Sequence, residues 1–291
     1  MGAGACLIFG VLSFYITCLC LLLYNNHIVT DDELRLPLSN RAFQYNDGFF
    51  ETIIIRQGRL RFWEAHEQRM QEAARALQLQ LPPLFSSAEF TERLLELATQ
   101  QHALAHGRLK LKVWRAGAGL YTPETNEVDW LATAQPTEAI YNPPLQVGVC
   151  RQTHTLYSPL SHFKGPNAPV YVQAGLEKKA RGKDDMLLLD RQGTVSEFTA
   201  ANVFWIQGDA FCTPPLETGC INGVLRRTIL RWCLQQQVKV EECSATVEQL
   251  YQANVVFAAN VTGIRAVGRL EETELPTQHP LLDRLQSSLL G

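Results

Sequence analysis

In the sequence RLKLKVWR, which ends at Arg115, polar and apolar residues alternate from Arg108 to Val113. A period of two predicts a β-strand, with Arg108, Lys110 and Lys112 on its polar face and Arg115 closing its apolar face. A glycine loop that ends at Tyr121 follows. A charge at the end of an apolar face can meet a substrate carboxylate, with Tyr121 near it, or it can be a solvated strand end. The pattern leaves both interpretations open.

The chain before this strand has a helical period instead. Apolar or small side chains recur every three or four positions in residues 63–79, which predicts an amphipathic helix. His66 and Arg69 are three residues apart and therefore share one face of this helix. Two prolines end it, and a second helix is predicted at about 88–102.

The second half of the chain contains a predicted hairpin followed by a helix. The β-branched and aromatic run at 203–206 and the strand at 210–213 flank a turn signal, Gln-Gly-Asp. Gly223 then precedes a helical pattern that begins at Val224. A glycine turn that opens a helix exposes backbone N–H groups and the positive end of the helix dipole, which suits a phosphate. The pattern by itself is equally typical of a plain structural turn.

The N-terminal residues 3–24 carry no charge and form the only membrane signal of the sequence. Their length would be enough to cross a bilayer. However, no Lys or Arg precedes them and three acidic residues follow, and residues 21–29 read equally as a strand, a turn and a strand. Residues 1–19 are therefore either an extension from a misplaced start or a genuine anchor.

Composition excludes several classes of protein. The chain has 291 residues, of which 46% are hydrophobic and 19% charged, with a net charge of −3. Basic residues are scattered, so a nucleic-acid partner is not expected. The eight cysteines follow no zinc or disulfide spacing, so we predict no metal site and interpret them as buried free thiols in a reducing compartment.

The motif E-x-T-x-x-N-V-F, followed by F-x-T and I-x-G-V-x-R, resembles the signature of the class IV, or fold type IV, pyridoxal-phosphate enzymes. That family includes branched-chain and D-amino-acid aminotransferases and 4-amino-4-deoxychorismate lyases. The phrase D-G-F-F-E-T-I near the N-terminus resembles the family too. The residues that match the signature are Glu197, Thr199, Asn202, Val203, Phe204, Phe211, Thr213, Ile221, Gly223, Val224 and Arg226.

The resemblance implies an α/β (α+β) protein with two α/β domains and pyridoxal 5'-phosphate in the cleft between them. We place an N-terminal α/β domain at 20–136, a linker at 137–144 and a cofactor-binding domain at 145–291. No internal repeat is visible in the sequence.

The resemblance also assigns roles to individual residues. It implies that Lys164, a little over thirty residues before Glu197, forms the Schiff base with the cofactor and carries protons. Glu197 would pair with the ring nitrogen, and Arg69 would bind the phosphate, since a guanidinium offers a bidentate fork to phosphate oxygens. The other cofactor-binding residues implied by the resemblance are Asn202, Gly223, Val224, Leu225, Asn260 and Val261.

The resemblance favours an aminotransferase that moves an amino group between an amino acid and a 2-oxo acid. Two alternatives stay open: 4-amino-4-deoxychorismate lyase, which releases pyruvate on the route to 4-aminobenzoate, and a catalytically silent, membrane-tethered relative. A homodimer in the cytoplasm is expected, with membrane contact only if the N-terminal extension is an anchor. Pro166 and Pro169 interrupt the segment after Lys164, where many family members carry a tyrosine or run straight into a helix.

Overall fold

The computed structural model of the protein describes residues 20–138 and 143–290. The proposed extension at 1–19 and the centre of the proposed linker lie outside the described residues. None of the helices in the described part of the chain is long and apolar enough to cross a bilayer.

The first half of the chain forms a six-stranded antiparallel sheet in the order β2-β1-β6-β5-β3-β4. The hairpin at its edge confirms the strand, turn and strand predicted for residues 21–29. The central strand β5 buries alternate residues, as its period of two predicts. The strands are β1 (Leu21–Tyr24), β2 (His27–Thr30), β3 (Gly48–Arg56), β4 (Arg59–Leu60), β5 (His106–Arg115) and β6 (Val128–Pro136).

Three helices accompany this sheet: α1 (Arg41–Tyr45), α2 (Trp63–Leu77) and α3 (Ala88–Gln100). Helix α2 and helix α3 bury their apolar faces on one side of the sheet, together with a 3₁₀ turn at Pro83–Ser86. The side chain of Ser87 accepts a hydrogen bond from the N–H of Phe90 and so caps α3. Both predicted helices are confirmed, and each ends two residues earlier than predicted.

The second half forms a mixed nine-stranded sheet in the order β12-β11-β10-β13-β14-β7-β8-β9, with β15 on β14. One residue pair, Asn202 with Glu197, also joins β10 to β9, so the sheet curls back on itself at this point. The strands are β7 (Leu145–Val149), β8 (Asp185–Leu189), β9 (Val195–Phe198), β10 (Asn202–Gln207), β11 (Ala210–Thr213), β12 (Val240–Glu242), β13 (Val255–Asn260), β14 (Gly263–Leu270) and β15 (Thr273–Glu274).

Four helices belong to this half: α4 (Ala168–Ala180), α5 (Val224–Gln235), α6 (Val247–Tyr251) and α7 (Pro280–Leu290). The start of α5 at Val224 confirms the helix predicted after the glycine turn. Helix α4 begins directly after Asn167. Pro169 does not interrupt it, because a proline in the first helical turn lacks only an N–H that would have no partner within the helix.

Helix α5 connects the two halves of the molecule. Arg227 donates hydrogen bonds of 2.7 and 2.5 Å to the two carboxylate oxygens of Glu72 on α2. One turn further along, Arg231 reaches Glu64 at 3.2 Å. Because α2 also carries Arg69, these two ion pairs fix the position of Arg69 relative to the N-terminus of α5.

Candidate active site

A cavity of about 400 Å³ lies between the two sheets. Phe50 and Arg69 reach it from the first half, and its other lining residues come from the second half. The structure brings together there every residue that the sequence suggested for the cofactor: Arg69, Lys164, Glu197, Asn202, Gly223, Val224, Leu225, Asn260 and Val261.

Lys164 lies on a loop that crosses over strand β3. Its carbonyl accepts a hydrogen bond of 3.0 Å from the N–H of Phe50, and its Nζ lies 5.9 Å from the centre of the Phe50 ring. The next residue, Gly165, has φ of +148°, and a Cβ there would lie 2.5 Å from the carbonyl oxygen of Gly48. Only glycine permits this approach.

The amine of Lys164 sheds its proton more easily than an ordinary lysine. Desolvation, together with the positive charge of Arg69, lowers its pKa to about 8, although Glu51 and Glu197 oppose the shift. A substantial unprotonated fraction near neutral pH is what a lysine nucleophile or base requires.

Glu197 lies in β9 and is 3% exposed. Its carboxylate accepts hydrogen bonds from the Tyr171 hydroxyl at 2.7 Å and from the Ile221 N–H at 3.1 Å, with the Asn202 amide at 3.4 Å. All three donors are neutral. Burial therefore dominates, and it raises the pKa of Glu197 to about 7.

Sequence reasoning missed Tyr171. This residue lies seven positions after Lys164 on α4, beyond the two prolines that seemed to disrupt the segment, and it lines the cavity. Burial and the adjacent Glu197 raise its pKa well above the ordinary value, so its hydroxyl stays a hydrogen-bond donor. A tyrosine at helical spacing on a helix that starts at 168 was the signal that could have found it.

Arg69 is fixed by a buried carboxylate. Its Nε and Nη2 donate hydrogen bonds of 2.8 and 2.5 Å to Glu51 on β3, and His66 Nδ1 lies 2.6 Å from the same carboxylate. Burial opposes the charge of Glu51, but Arg69 and His66 bring its pKa down to about 2. No described residue hydrogen-bonds to Arg69 Nη1, so this donor remains available to the cavity.

Helix α5 presents its N-terminus to the same cavity. Its first intrahelical bond runs from the N–H of Arg227 to the carbonyl of Gly223, so the N–H groups of Val224 and Leu225 have no acceptor within the helix. The Asn202 amide donates to the Ile221 carbonyl at 2.7 Å. A Cβ on Gly223 would lie 2.0 Å from Asn202 Oδ1, so a side chain here would displace the Asn202 amide.

The turn between β13 and β14 supplies another part of the wall. Asn260 and Val261 both line the cavity. The Asn260 amide donates to the Ala200 carbonyl at 3.0 Å, and its side-chain oxygen accepts from the N–H of Thr262 at 2.9 Å. The side chain of Asn260 therefore holds the turn against the loop that follows Glu197.

The two residues suggested for substrate binding are not among those that line the cavity. Arg115 is not solvated either: it is 7% exposed, and all three of its guanidinium nitrogens have protein acceptors, on Asp47, Asn126 and the Leu77 carbonyl. Tyr121 is 92% exposed, and its ring contacts that of Tyr45. Their role in substrate binding stays a prediction.

The chain matches a known family over most of its length. The Amino-transferase class IV family model covers residues 48–270. An aminodeoxychorismate lyase of Vibrio harveyi is 28% identical over 266 residues, which are 88% of this chain and 96% of that protein. A D-alanine aminotransferase of Bacillus licheniformis is 26% identical over 248 residues, or 82% and 84% of the two chains.

The fold agrees with these sequence matches. The crystal structure of a branched-chain aminotransferase from Thermoproteus uzoniensis with norvaline gives a TM-score of 0.83 at 18% identity, covering 93% of each chain. The architecture is therefore that of the fold type IV enzymes, as predicted. The chain belongs to the class IV aminotransferase family, whose members are pyridoxal-phosphate-dependent aminotransferases and lyases.

The chemistry of the cavity fits pyridoxal phosphate. Arg69 Nη1 and the free N–H groups of Val224 and Leu225 are donors that suit a phosphate. A buried carboxylate, Glu197, has no cationic hydrogen-bond partner in residues 20–138 and 143–290 and suits a protonated ring nitrogen. Lys164 supplies an amine of lowered pKa.

Proposed function

We propose that this protein is a pyridoxal-phosphate enzyme that removes the proton from the carbon bearing a substrate's amino group, and that it acts as a 4-amino-4-deoxychorismate lyase. When bound, the cofactor would supply an electron sink for the carbanion that forms there. The convergence of Lys164, Glu197 and Arg69 on one cavity supports the general chemistry.

Each of these residues would have a distinct task. Lys164 would attach the cofactor and, once the substrate's amine has replaced it, accept the proton from the substrate carbon. Glu197 would hold the ring nitrogen in its protonated form. The positive ring would favour negative charge on the substrate carbon that loses its proton. Arg69 and the N-terminus of α5 would bind the phosphate.

The observation that carries the choice of a lyase is a basic pocket beside the cavity. Phe50 lines both, and the pocket is otherwise formed by Thr52, Arg108, Lys110, Thr133 and Gln135. The Nζ of Lys110 lies 5.1 Å from the centre of the Phe50 ring, the same ring that Lys164 contacts. Aminodeoxychorismate carries two carboxylates, and these cations would bind one of them.

A second observation supports the same choice. The lyase of Vibrio harveyi aligns with 96% of its own length. In the lyase reaction the carbanion would expel enolpyruvate from the neighbouring ring carbon, and the ring would become aromatic. The released enolpyruvate would then take up a proton and become pyruvate. No oxo acid takes part, so the amino group stays on the product, 4-aminobenzoate.

Aminotransfer remains the second candidate, and it is the one that the sequence alone favours. The D-alanine aminotransferase relative aligns with 84% of its length. The same lysine, glutamate and arginine would serve that reaction. The difference is that the amino group would move to a 2-oxo acid, so turnover would require an acceptor.

One assay panel separates the two reactions. The purified protein with pyridoxal phosphate is given aminodeoxychorismate alone, and pyruvate and 4-aminobenzoate are measured; parallel samples receive L- and D-amino acids with 2-oxoglutarate. We expect equal amounts of pyruvate and 4-aminobenzoate without an acceptor. Glutamate formation from an amino acid, with no pyruvate from aminodeoxychorismate, would favour aminotransfer instead.

The basic pocket has its own test. Lys110→Gln should raise KM for aminodeoxychorismate about 10-fold or more, as expected for loss of a charge-assisted contact. Its kcat should change little, because Lys110 does not touch the reacting carbon in this proposal. Lys179→Gln, on the exposed side of α4, is the matched control and should leave KM unchanged.

The attachment of the cofactor is tested by borohydride reduction and peptide mapping. We expect the label on Lys164. A label on Lys178 or Lys183, at the charged end of α4, would overturn the assignment. A homodimer and a cytoplasmic location stay predictions, which sedimentation and cell fractionation can check.

A further inference from the structure

A second group of reactive side chains lies on strands β11 and β12. Cys212 is in register with Glu241 in this parallel pair, so both side chains lie on the same face of the sheet. Cys243 comes two residues after Glu241 and returns to that face. One ligand atom from each of the three residues lies within 4.8 Å of the other two.

The surroundings of this group form a separate cavity of about 610 Å³. Among the described residues, its lining has none in common with that of the cavity around Lys164. The charged residues that line it are Asp209, Glu241, Glu248 and Lys239, so acidic groups outnumber basic ones by three to one. This excess of negative charge favours a cation.

The three side chains also differ in depth. Cys212 is buried, Cys243 is half-buried and Glu241 is exposed. An ion held between them would thus have sulfur ligands towards the core and open water on its outer side. Such a site can complete its coordination with a solvent molecule from the cavity.

We propose that Cys212, Cys243 and Glu241 bind a zinc ion, with water as the fourth ligand. Two thiolates and a carboxylate are an ordinary ligand set for Zn²⁺ in tetrahedral coordination. On binding, the two thiols release their protons to solvent and no electron is transferred. The proposal is independent of the function proposed above.

One proposed ligand, Glu241, already has an ion-pair partner. Lys239 Nζ lies 2.7 Å from Glu241 Oε1, and both side chains are exposed. Surface ion pairs of this kind contribute little to stability. Lys239 can therefore turn into solvent. The other carboxylate oxygen, Oε2 of Glu241, is not part of this ion pair and can bind the metal while the pair persists.

No motif in the sequence predicts this site. Cys212 and Cys243 are separated by a helix and a strand, not by the short spacing of a zinc motif. Only the parallel pairing of β11 with β12 brings the two thiols together. The cysteines that we interpreted as buried free thiols are thus not equivalent.

The test uses the full chain with pyridoxal phosphate bound. Cobalt(II) serves as a spectroscopic probe, and zinc affinity is measured by competition with a chromophoric chelator. We expect one equivalent of metal, a thiolate-to-cobalt charge-transfer band and the visible bands of a tetrahedral site. Absence of these bands would overturn the proposal.

Variants identify the ligands. Cys212→Ser and Cys243→Ser should each weaken zinc binding by about 100-fold or more, since loss of even an outer partner of a metal ligand has effects of 10–100-fold. Glu241→Gln should weaken it about 10-fold, as expected for a ligand that solvent can partly replace. Cys20→Ser removes an exposed thiol elsewhere and should have no effect.

Two controls keep the test decisive. Circular dichroism and thermal unfolding show whether each variant folds; if buried Cys212 tolerates no change, the half-buried Cys243 variant gives the answer alone. Zinc affinity unchanged in Cys243→Ser would overturn the proposal. So would a Cys212–Cys243 disulfide in protein purified under reducing conditions, because it would identify a redox pair.

Discussion

Two buried glutamates near the cavity have pKa values shifted in opposite directions. Glu51 is 1% exposed and Glu197 is 3% exposed, so burial alone does not distinguish them. Arg69 and His66 bring the pKa of Glu51 to about 2. Glu197 has only neutral donors, and burial raises its pKa to about 7.

The difference shows which carboxylate has its partner within the protein. Glu51 is already paired, and its task is to hold Arg69 with one nitrogen facing the cavity. Within the part of the chain that the structure describes, Glu197 has hydrogen bonds but no cation in direct contact. A ligand with a protonated nitrogen would supply that cation, so the cavity itself indicates where the positive end of a cofactor would bind.

The largest effect is expected from removing the cation that is paired with Glu51. Arg69→Ala leaves Glu51 buried without its main cation, which should lower the free energy of unfolding by about 3–5 kcal/mol. It should also weaken pyridoxal phosphate binding by about 1.5–3 kcal/mol through loss of a charge-assisted contact. Urea unfolding of the apoprotein and cofactor titration measure the two effects separately.

Two further variants separate stability from binding. The double variant Glu51→Gln with Arg69→Met removes both charges and should recover much of the stability without recovering cofactor affinity. Arg115→Ala is the matched control, since this buried arginine lies in the same half of the chain but does not line the cavity. Lost stability with unchanged cofactor affinity is expected there; equal loss of affinity would contradict the comparison.

The raised pKa of Glu197 predicts an unusual dependence of stability on pH. The pKa of Glu197 is higher in the folded state, about 7, than its ordinary value of 4.5, so the folded apoprotein holds an extra proton between these values. Stability must then fall as pH rises from about 4.5 to about 7, by about 3 kcal/mol from this group. Glu197→Gln cannot ionise and should remove that decline.

The measurement is the difference in unfolding free energy between the Gln variant and the native apoprotein at pH 5 and pH 8. From pH 5 to pH 8, the unfolding free energy of the variant should rise by about 3 kcal/mol relative to that of the native apoprotein. Glu51→Gln is the contrasting variant, since a depressed pKa supplies stability that is lost only as pH falls towards about 2. Parallel pH profiles for native protein and Glu197→Gln would show that Glu197 is already ionised.

Local pattern predicted the elements well because each depends on nearby residues. The alternation in β5, the helical period in α2 and the glycine before α5 all gave elements at the expected places. The nine residues suggested for the cofactor came from the family resemblance, and all nine line the same cavity. Spacing alone could not have joined Arg69 to Val224, because the contact between α2 and α5 is a property of the tertiary fold.

Partners of buried charges could not be predicted in this way. Arg115 ends a buried strand and Arg69 lies on an amphipathic helix, and neither local pattern shows their partners. Asp47 and Asn126 accept hydrogen bonds from Arg115, whereas Glu51 leaves one nitrogen of Arg69 available. Which carboxylate reaches which guanidinium depends on the pairing of β3 with β5 and on the packing of α2. Tyr171 was missed for the same reason, because its contact with Glu197 depends on the tertiary fold.

The smallest effect tests how finely Glu197 is tuned. The Tyr171 hydroxyl donates to its carboxylate at 2.7 Å and stabilises the charged form. Tyr171→Phe should therefore raise the pKa of Glu197 further and destabilise the apoprotein at pH 8 by about 1 kcal/mol, with a smaller loss at pH 5, where the carboxyl is protonated. Tyr157→Phe, on an exposed tyrosine, is the control. An equal loss at both pH values would mean that Tyr171 contributes through packing, and that burial alone sets the charge of Glu197.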